Sequence, residues 1–112
     1  MTESDVAYVR QCIRDGIHRF YTWSKWERVR RQVLEMDKYE CQDCKDRGIY
    51  SRATTVHHNQ YVKRYPELAL EIWYTFRGKQ YRNLVSLCHD CHEIRHGHRQ
   101  KEVKKPLTEE RW

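Results

Sequence analysis

Residues 83–96 have the sequence NLVSLCHDCHEIRH, which contains two spacings that are typical of metal ligands. Cys88 and Cys91 form a C-x-x-C pair. His92 and His96 stand four residues apart, so on a helix the two imidazoles would share one face. This short segment therefore predicts that two kinds of metal site lie next to each other.

A second C-x-x-C pair, Cys41 and Cys44, lies upstream of the first. Two such pairs can complete a tetrahedral zinc site. Disulfides within the pairs are the alternative, but they would close very small loops and add little stability. Paired cysteines in a reducing cytoplasm favour zinc, and we predict a four-cysteine structural site. Cys12, the fifth cysteine, falls in a helical pattern and is predicted to be a buried small residue.

The composition indicates one small domain over residues 1–112 with a modest core. Hydrophobic residues make up 38% of the chain and charged residues 34%. A structural zinc would therefore add stability that such a small core lacks. The net charge of +6 suits a polyanion such as DNA, although charge alone is weak evidence. No apolar run approaches the ~20 residues of a membrane span, and the acidic start is unlike a signal peptide. We therefore expect a cytoplasmic protein with no membrane partner.

Periodicity and capping residues predict the secondary structure. Apolar spacing predicts a first helix over residues 3–20, in which Gly16 is a weak point. Ser24 and Glu27 form a possible capping box for a second helix that ends near Asp37. Residues 49–57 alternate as a strand does.

The second half of the chain is predicted in the same way. Pro66 precedes an apolar run, residues 68–74, which predicts a helix of about two turns. A turn at residues 77–79 and a strand over residues 84–87 follow. Asp90 can cap the last helix, with Glu93 three residues later, and Gly97 is its predicted end. Residues 99–112 are predicted to form a charged tail.

The order of these parts resembles the ββα-metal site of the HNH endonuclease family. The residues that carry the resemblance are the tandem pair His57 and His58, Asn83, and Cys91 with His92. They match the branch of the family that carries a cysteine zinc knuckle and is common in phages and bacteria. The resemblance covers residues 24–98, and it leaves residues 1–22 as an N-terminal helical extension. It implies an α+β fold with a small ββα-metal (His-Me finger) core, a structural zinc knuckle and N-terminal helices.

The resemblance also implies a role for each motif residue. His58 matches the general base, and Asn83 matches the asparagine that holds the loop and the base in place. His57, His92 and His96 match ligands of a catalytic divalent metal, which would be Mn²⁺, Mg²⁺, Ni²⁺ or Zn²⁺. The implied activity is metal-dependent hydrolysis of DNA phosphodiester bonds. General chemistry supports these roles. A neutral histidine is a competent base near neutral pH, and a divalent ion stabilises the charge on a phosphate.

DNA is the expected partner, with weak sequence specificity because the chain offers no separate specificity domain. The N-terminal helices could also pair two chains into a homodimer. We predict that basic side chains near the motif contact phosphates; the candidates are Arg95, Arg82, Lys63, Arg64, Arg30 and Arg31, with Arg77 and Lys79 as further possibilities.

Other interpretations remain open from the sequence. The chain could be a non-catalytic zinc module that only binds nucleic acid, or a structural partner in a phage packaging or restriction complex. The aromatic residues are interpreted as core rather than as a base-stacking platform; the set is Tyr21, Trp23, Trp26, Trp73 and Tyr74.

Overall fold

The protein, described here from a computed structural model, consists of N-terminal helices, two small antiparallel sheets and a C-terminal helix. The structure describes residues 1–104, with side chains for residues 1–96. The helices are α1 (Glu3–Asp15), α2 (His18–Tyr21), α3 (Ser24–Met36), α4 (Gln42–Asp46) and α5 (His89–Lys104). The strands are β1 (Thr55–His58), β2 (Trp73–Phe76), β3 (Lys79–Arg82) and β4 (Leu84–Leu87), and a 3₁₀ turn spans Pro66–Leu68.

The sheet formed by β1 and β4 is the platform on which the site is built. The two strands are antiparallel, and His57 lies opposite Val85 while His58 lies opposite Leu84. Both α3 and α5 pack on this sheet. Because successive side chains of a strand point to opposite faces, His57 is directed towards α5 and His58 towards Trp26 of α3. The predicted α+β fold is confirmed, and the strand predicted over residues 84–87 is confirmed at both ends.

The single helix predicted over residues 3–20 is wrong, because the chain breaks at Gly16. This glycine has φ 149°, a conformation that residues with a side chain rarely adopt, and it separates α1 from α2. Thr2 caps α1 in a capping box with Asp5, a cap that the sequence analysis missed.

The next helix begins where it was predicted but without the predicted cap. Helix α3 starts at Ser24, and Trp23 occupies the cap position with no side-chain hydrogen bond. The capping box of Ser24 with Glu27 is therefore not formed. An ion pair of 2.7 Å from Lys25 to Asp5 links α3 to α1 instead.

The helix predicted over residues 68–74 is also wrong. Only the 3₁₀ turn Pro66–Leu68 forms, and the aromatic residues that follow pair in the hairpin of β2 and β3. The predicted turn at residues 77–79 is confirmed: Arg77 (φ 52°) and Gly78 (φ 80°) both have positive φ, as a tight hairpin turn requires. The strand predicted over residues 49–57 shortens to β1, since only an isolated bridge of Arg52 with Glu40 precedes it.

The last helix starts earlier and ends later than predicted. Helix α5 begins at His89, and the Cys91 backbone N–H donates to Cys88 Sγ, so Asp90 is not the cap. The helix continues through Gly97 to Lys104, so the predicted end at Gly97 is wrong. A glycine inside a helix costs only about 1 kcal/mol relative to alanine, which the flanking residues can offset. Of the predicted tail, residues 105–112 lie outside the described residues.

One hydrophobic core joins the N-terminal helices to the central sheet. Cys12 is buried in it as predicted. Among the described residues, no helix combines the length and the apolar character needed to cross a lipid bilayer. The buried residues of this core are Val9, Cys12, Phe20, Trp26, Val33, Leu34, Ala53, Val56, Val62, Ala69 and Leu84.

Candidate metal centres and active site

The four paired cysteines converge at the N-terminal ends of two helices. In each pair the first thiol accepts a hydrogen bond from the backbone N–H of the second, 3.4 Å from Cys44 N to Cys41 Sγ and 3.4 Å from Cys91 N to Cys88 Sγ. The Sγ atoms all lie within 4.8 Å of one another, with 4.0 Å from Cys44 to Cys88 and 3.6 Å from Cys44 to Cys91. Zinc–sulfur bonds of about 2.3 Å in a tetrahedron place the sulfurs about 3.8 Å apart, so these residues fit zinc.

The surroundings of the cysteines favour bound thiolates. The Cys91 backbone N–H lowers the pKa of the Cys88 thiol to about 6. Burial raises the pKa of Cys91 to about 12, so a thiolate there needs positive charge nearby. Arg47 supplies part of it, because its Nη2 donates to Cys91 Sγ at 3.5 Å and to Cys44 Sγ at 3.6 Å. The sequence analysis missed Arg47; its position three residues after Cys44 is the only signal it offered.

Three histidines form a second cluster, one from β1 and two from α5. The ligand nitrogens of His57, His92 and His96 lie within 4.8 Å of one another. The Nε2 atoms of His92 and His96 are 3.1 Å apart, close to the separation of about 3.0–3.4 Å that adjacent imidazoles adopt around one ion. Burial lowers the pKa of His57 to about 3 and lowers that of His92 as well, so both are neutral and able to bind a metal. The donor set fits a divalent ion.

His58 lies on the other side of β1 in a defined orientation. Its ring stacks on Trp26 with centroids 4.8 Å apart, and its side chain is buried. Its Nε2 is 2.9 Å from the Ala69 carbonyl oxygen. Since a carbonyl only accepts, Nε2 must carry the proton and Nδ1 the lone pair. Burial lowers the pKa of His58 to about 4 despite this hydrogen bond, so the imidazole is neutral at neutral pH.

Asn83 is fully buried and holds the loop that orients His58. Its Oδ1 accepts from the Gln60 backbone N–H at 2.8 Å, and its Nδ2 donates to the carbonyls of Leu68 and Glu71 at 2.8 and 3.0 Å. The carbonyl that binds His58 belongs to the same loop. Asn83 thus fixes both ends of this loop and, through it, the position of the His58 ring.

The histidines open onto one cavity of about 1040 Å³. His57, His58, His92 and His96 all line it, so side chains from both faces of β1 border the same cavity. The other lining residues are Ile17, Tyr21, Trp26, Glu27, Arg30, Thr55, Val56, Tyr61, Val62, Lys63 and Arg64.

The predicted DNA contacts divide into two groups. Arg30, Lys63 and Arg64 line the cavity, while Arg31 is exposed on α3 beyond it. Arg82 is instead held within the fold. Its guanidinium donates to Asp37 Oδ2 at 2.8 Å and to the Leu84 carbonyl oxygen.

Arg95 is also engaged with protein groups rather than directed to solvent. Nε and Nη2 donate to the two carboxylate oxygens of Asp43 at 2.9 and 2.6 Å, and Nη1 donates to Asn59 Oδ1 at 2.8 Å. Asp43 lies between Cys41 and Cys44, and Asn59 directly follows His58. Arg95 therefore ties the cysteine cluster to the histidine cluster. Neither Asp43 nor Asn59 was singled out from the sequence, because the partners are 52 and 36 residues away from Arg95.

The aromatic residues interpreted as core also divide. Trp26 is buried, but Tyr21 and Trp73 are 43% and 44% exposed, so the interpretation is wrong for these two.

Comparison with known proteins supports the resemblance seen in the sequence. A solved structure that matches is the HNH endonuclease of the deep-sea thermophilic bacteriophage GVE2, determined with a manganese ion. The match has 27% sequence identity and a TM-score of 0.67, and it covers 86% of this chain and 95% of that chain. No protein-family model and no curated protein matches the sequence. The resemblance to HNH endonucleases with a four-cysteine cluster is thereby confirmed at the level of the fold.

Proposed function

We propose that this chain, which has the HNH endonuclease fold, is a metal-dependent endonuclease that hydrolyses phosphodiester bonds of DNA. One observation carries the proposal. A neutral, oriented His58 shares a cavity with the cluster of His57, His92 and His96. A protein that only binds nucleic acid needs no oriented base beside a metal site.

His58 is the proposed general base. The lone pair on Nδ1 accepts a proton from a water molecule as the water oxygen forms a bond to phosphorus. The bond from phosphorus to the 3′ oxygen breaks, and this oxygen takes up a proton from solvent, which leaves a 5′ phosphate and a 3′ hydroxyl. Asn83 acts as a positioning residue, because it fixes the loop whose carbonyl holds His58.

His57, His92 and His96 are the proposed ligands of the catalytic ion. When bound, a divalent ion stabilises the negative charge on the phosphate and on the leaving oxygen. Three imidazoles favour manganese, nickel or zinc over magnesium, which prefers oxygen ligands. Manganese is the first ion to test, since the similar phage endonuclease is known with it.

The cations that line the cavity are the proposed phosphate contacts. Arg30, Lys63 and Arg64 line the same cavity as the histidines. Lys63 and Arg64 are exposed, whereas Arg30 Nη2 also donates to the Thr54 carbonyl oxygen at 2.9 Å. They would bind the backbone without reading bases, which predicts weak sequence specificity.

Plasmid nicking in Mn²⁺ tests the proposal. His58→Ala is expected to slow nicking by about 10²- to 10⁴-fold, the usual contribution of a general base, with DNA binding retained. His18→Ala is the matched control, because His18 is an exposed histidine on α2 that does not line the cavity. Nicking by His58→Ala at the wild-type rate would exclude His58 as the base. Wild-type protein that binds DNA but never nicks it would be a binding module instead.

A further inference from the structure

The cavity continues from the histidines onto an apolar surface that hydrolysis of a phosphodiester does not require. We propose that this surface is a subsite for an unpaired nucleobase next to the scissile phosphate, so that the protein prefers DNA with unpaired bases. The inference rests on the proposed nuclease function and names its substrate class. Tyr21 is the residue that carries it, and Ile17 and Val62 line the same cavity.

Tyr21 combines exposure with closeness to the base. It is the last residue of α2, 43% of its surface is exposed, and its ring centroid is 6.5 Å from that of His58. Its ring contacts with Phe20, Trp26 and His58 are nearly perpendicular, at 80°, 80° and 72°. None of these three rings lies parallel to the Tyr21 ring, and we infer that a base would stack on its exposed part.

A second exposed tyrosine, Tyr61, lies near His57, whereas Tyr21 lies near His58. Tyr61 belongs to the loop after β1, is 39% exposed, and has its ring centroid 6.5 Å from that of His57. Tyr21 and Tyr61 line the same cavity and flank His58 and His57 respectively. Two rings from separate elements thus border the position at which the phosphate would react.

The charges of the cavity select a nucleotide over a purely apolar ligand. Among the described residues that line it, Arg30, Lys63 and Arg64 are accompanied by one carboxylate, Glu27, so cations are in excess there. A nucleotide presents an anionic phosphate and, one sugar away, an apolar base face. The arrangement of cations beside aromatic rings is the one used by proteins that bind single strands.

Stacking energetics decide which DNA is preferred. Stacking of one base on an aromatic side chain improves binding by roughly 5- to 150-fold. Removal of a paired base from a duplex has a cost of similar size, which is small for a base that is already unpaired. On an intact duplex the cost of unpairing therefore cancels the gain from stacking. On a single strand or at a mismatched bubble the gain from stacking is retained.

Cleavage and stacking can be measured separately on one set of oligonucleotides. The substrates are an intact duplex, the same duplex with a two-nucleotide mismatched bubble, and the single strand, each with 2-aminopurine near the cleavage position. The variants are Tyr21→Leu, which keeps apolar bulk, and Tyr21→Phe, which keeps the ring. Tyr50→Leu is the control, because Tyr50 is 70% exposed and lies outside the cavity.

We expect wild-type kcat/KM to be at least about tenfold higher on the bubble and the single strand than on the duplex. Tyr21→Leu should lose this preference and the quenching of 2-aminopurine fluorescence, while Tyr21→Phe and Tyr50→Leu keep both. Equal cleavage of duplex and bubble by wild type, or unaltered preference in Tyr21→Leu, would overturn the subsite. If wild type cuts nothing, the nuclease proposal fails, and quenching that depends on Tyr21 still reports the subsite.

Discussion

The two ligand clusters share helix α5 but differ in how they meet solvent. Cys91 and His92 are consecutive residues, yet the cysteine belongs to a closed cluster and the histidine to an open one. The cysteines pack with the buried side chains of Val85 and Leu87. The histidines line a cavity of about 1040 Å³. A closed site suits a structural ion, and an open site suits an ion that must also contact water and substrate.

The two clusters are mechanically connected although their roles differ. Arg95 lies one residue before His96 and binds Asp43 within the first cysteine pair. Loss of the cysteine site should therefore disturb the histidine site, whereas loss of the histidine site should leave the cysteine site intact.

The largest effect is expected for Cys44→Ser. Cys44 Sγ contacts both Cys88 and Cys91, and zinc binding in such small sites contributes about 10–16 kcal/mol to folding in zinc-finger peptides. That value matches the whole stability of a typical domain, about 5–15 kcal/mol. We expect loss of bound zinc and of cooperative unfolding, measured by metal analysis and thermal melting.

Cys12→Ala is the control, since Cys12 is equally buried but lies outside the cluster. It should melt at a lower temperature but retain its zinc. If Cys44→Ser kept wild-type zinc content and melting temperature, the four-cysteine site would be wrong.

His92→Ala should abolish nicking without unfolding the protein. It removes one ligand of the open cluster and leaves the thiolates untouched, so zinc content should be unchanged while activity falls more than about 100-fold. Mild chelation of the wild type should have the same effect, reversed by added Mn²⁺. The measurements are nicking rate, zinc content and melting temperature on the same samples.

His89→Ala is the matched control on the same helix, because His89 is exposed and outside both clusters. It should nick at the wild-type rate. Loss of zinc together with activity in His92→Ala would show that the two clusters form one cooperative unit.

The sequence predicted these clusters well because their information is local. The C-x-x-C spacing and the four-residue spacing of His92 and His96 place ligands together whatever surrounds them. Strand β4 was also predicted, because residues 84–87 are mostly apolar. All four of them are buried in the structure. These features need no knowledge of distant contacts.

What the sequence did not reveal depends on contacts between distant segments. Residues 68–74 are apolar enough for a helix, but pairing with β3 draws their end into a hairpin. The guanidinium of Arg82 finds Asp37 45 residues away, and no local pattern distinguishes this arginine from a surface cation. Tyr21 was interpreted as core, but it is exposed. The break at Gly16, which separates α2 from α1, was not part of the predicted helix.

Arg95→Ala tests the connection between the clusters. Loss of a group hydrogen-bonded to a metal ligand typically weakens the site by about 10- to 100-fold. Arg95 acts one step further away, through Asp43 and Asn59, so the Mn²⁺ concentration for half-maximal nicking should rise by about tenfold. Arg95→Lys should rescue little, because an ammonium cannot make the paired contacts to Asp43. Asp43→Ala should resemble Arg95→Ala, and the double variant should be no worse than either.

Arg31→Ala is the control for Arg95, since it removes an exposed arginine outside the cavity. Its metal dependence should equal that of wild type. A normal Mn²⁺ dependence in Arg95→Ala, combined with weaker DNA binding, would show that Arg95 contacts phosphates and does not support the metal site.

The smallest effect concerns salt dependence, and it separates cations of the open cavity from cations of the fold. Each lost phosphate contact reduces the slope of log K against log salt by about 0.9. Lys63→Ala and Arg64→Ala should each show this reduction, because both side chains are exposed in the cavity wall. Arg82→Ala should leave the slope unchanged and lower the melting temperature, since it removes the cation that pairs with the buried Asp37 carboxylate. Fluorescence anisotropy of a labelled duplex from 50 to 200 mM salt measures the slope. An Arg82→Ala protein with normal melting and a reduced slope would place DNA against the hairpin side of the molecule instead of the histidine cavity.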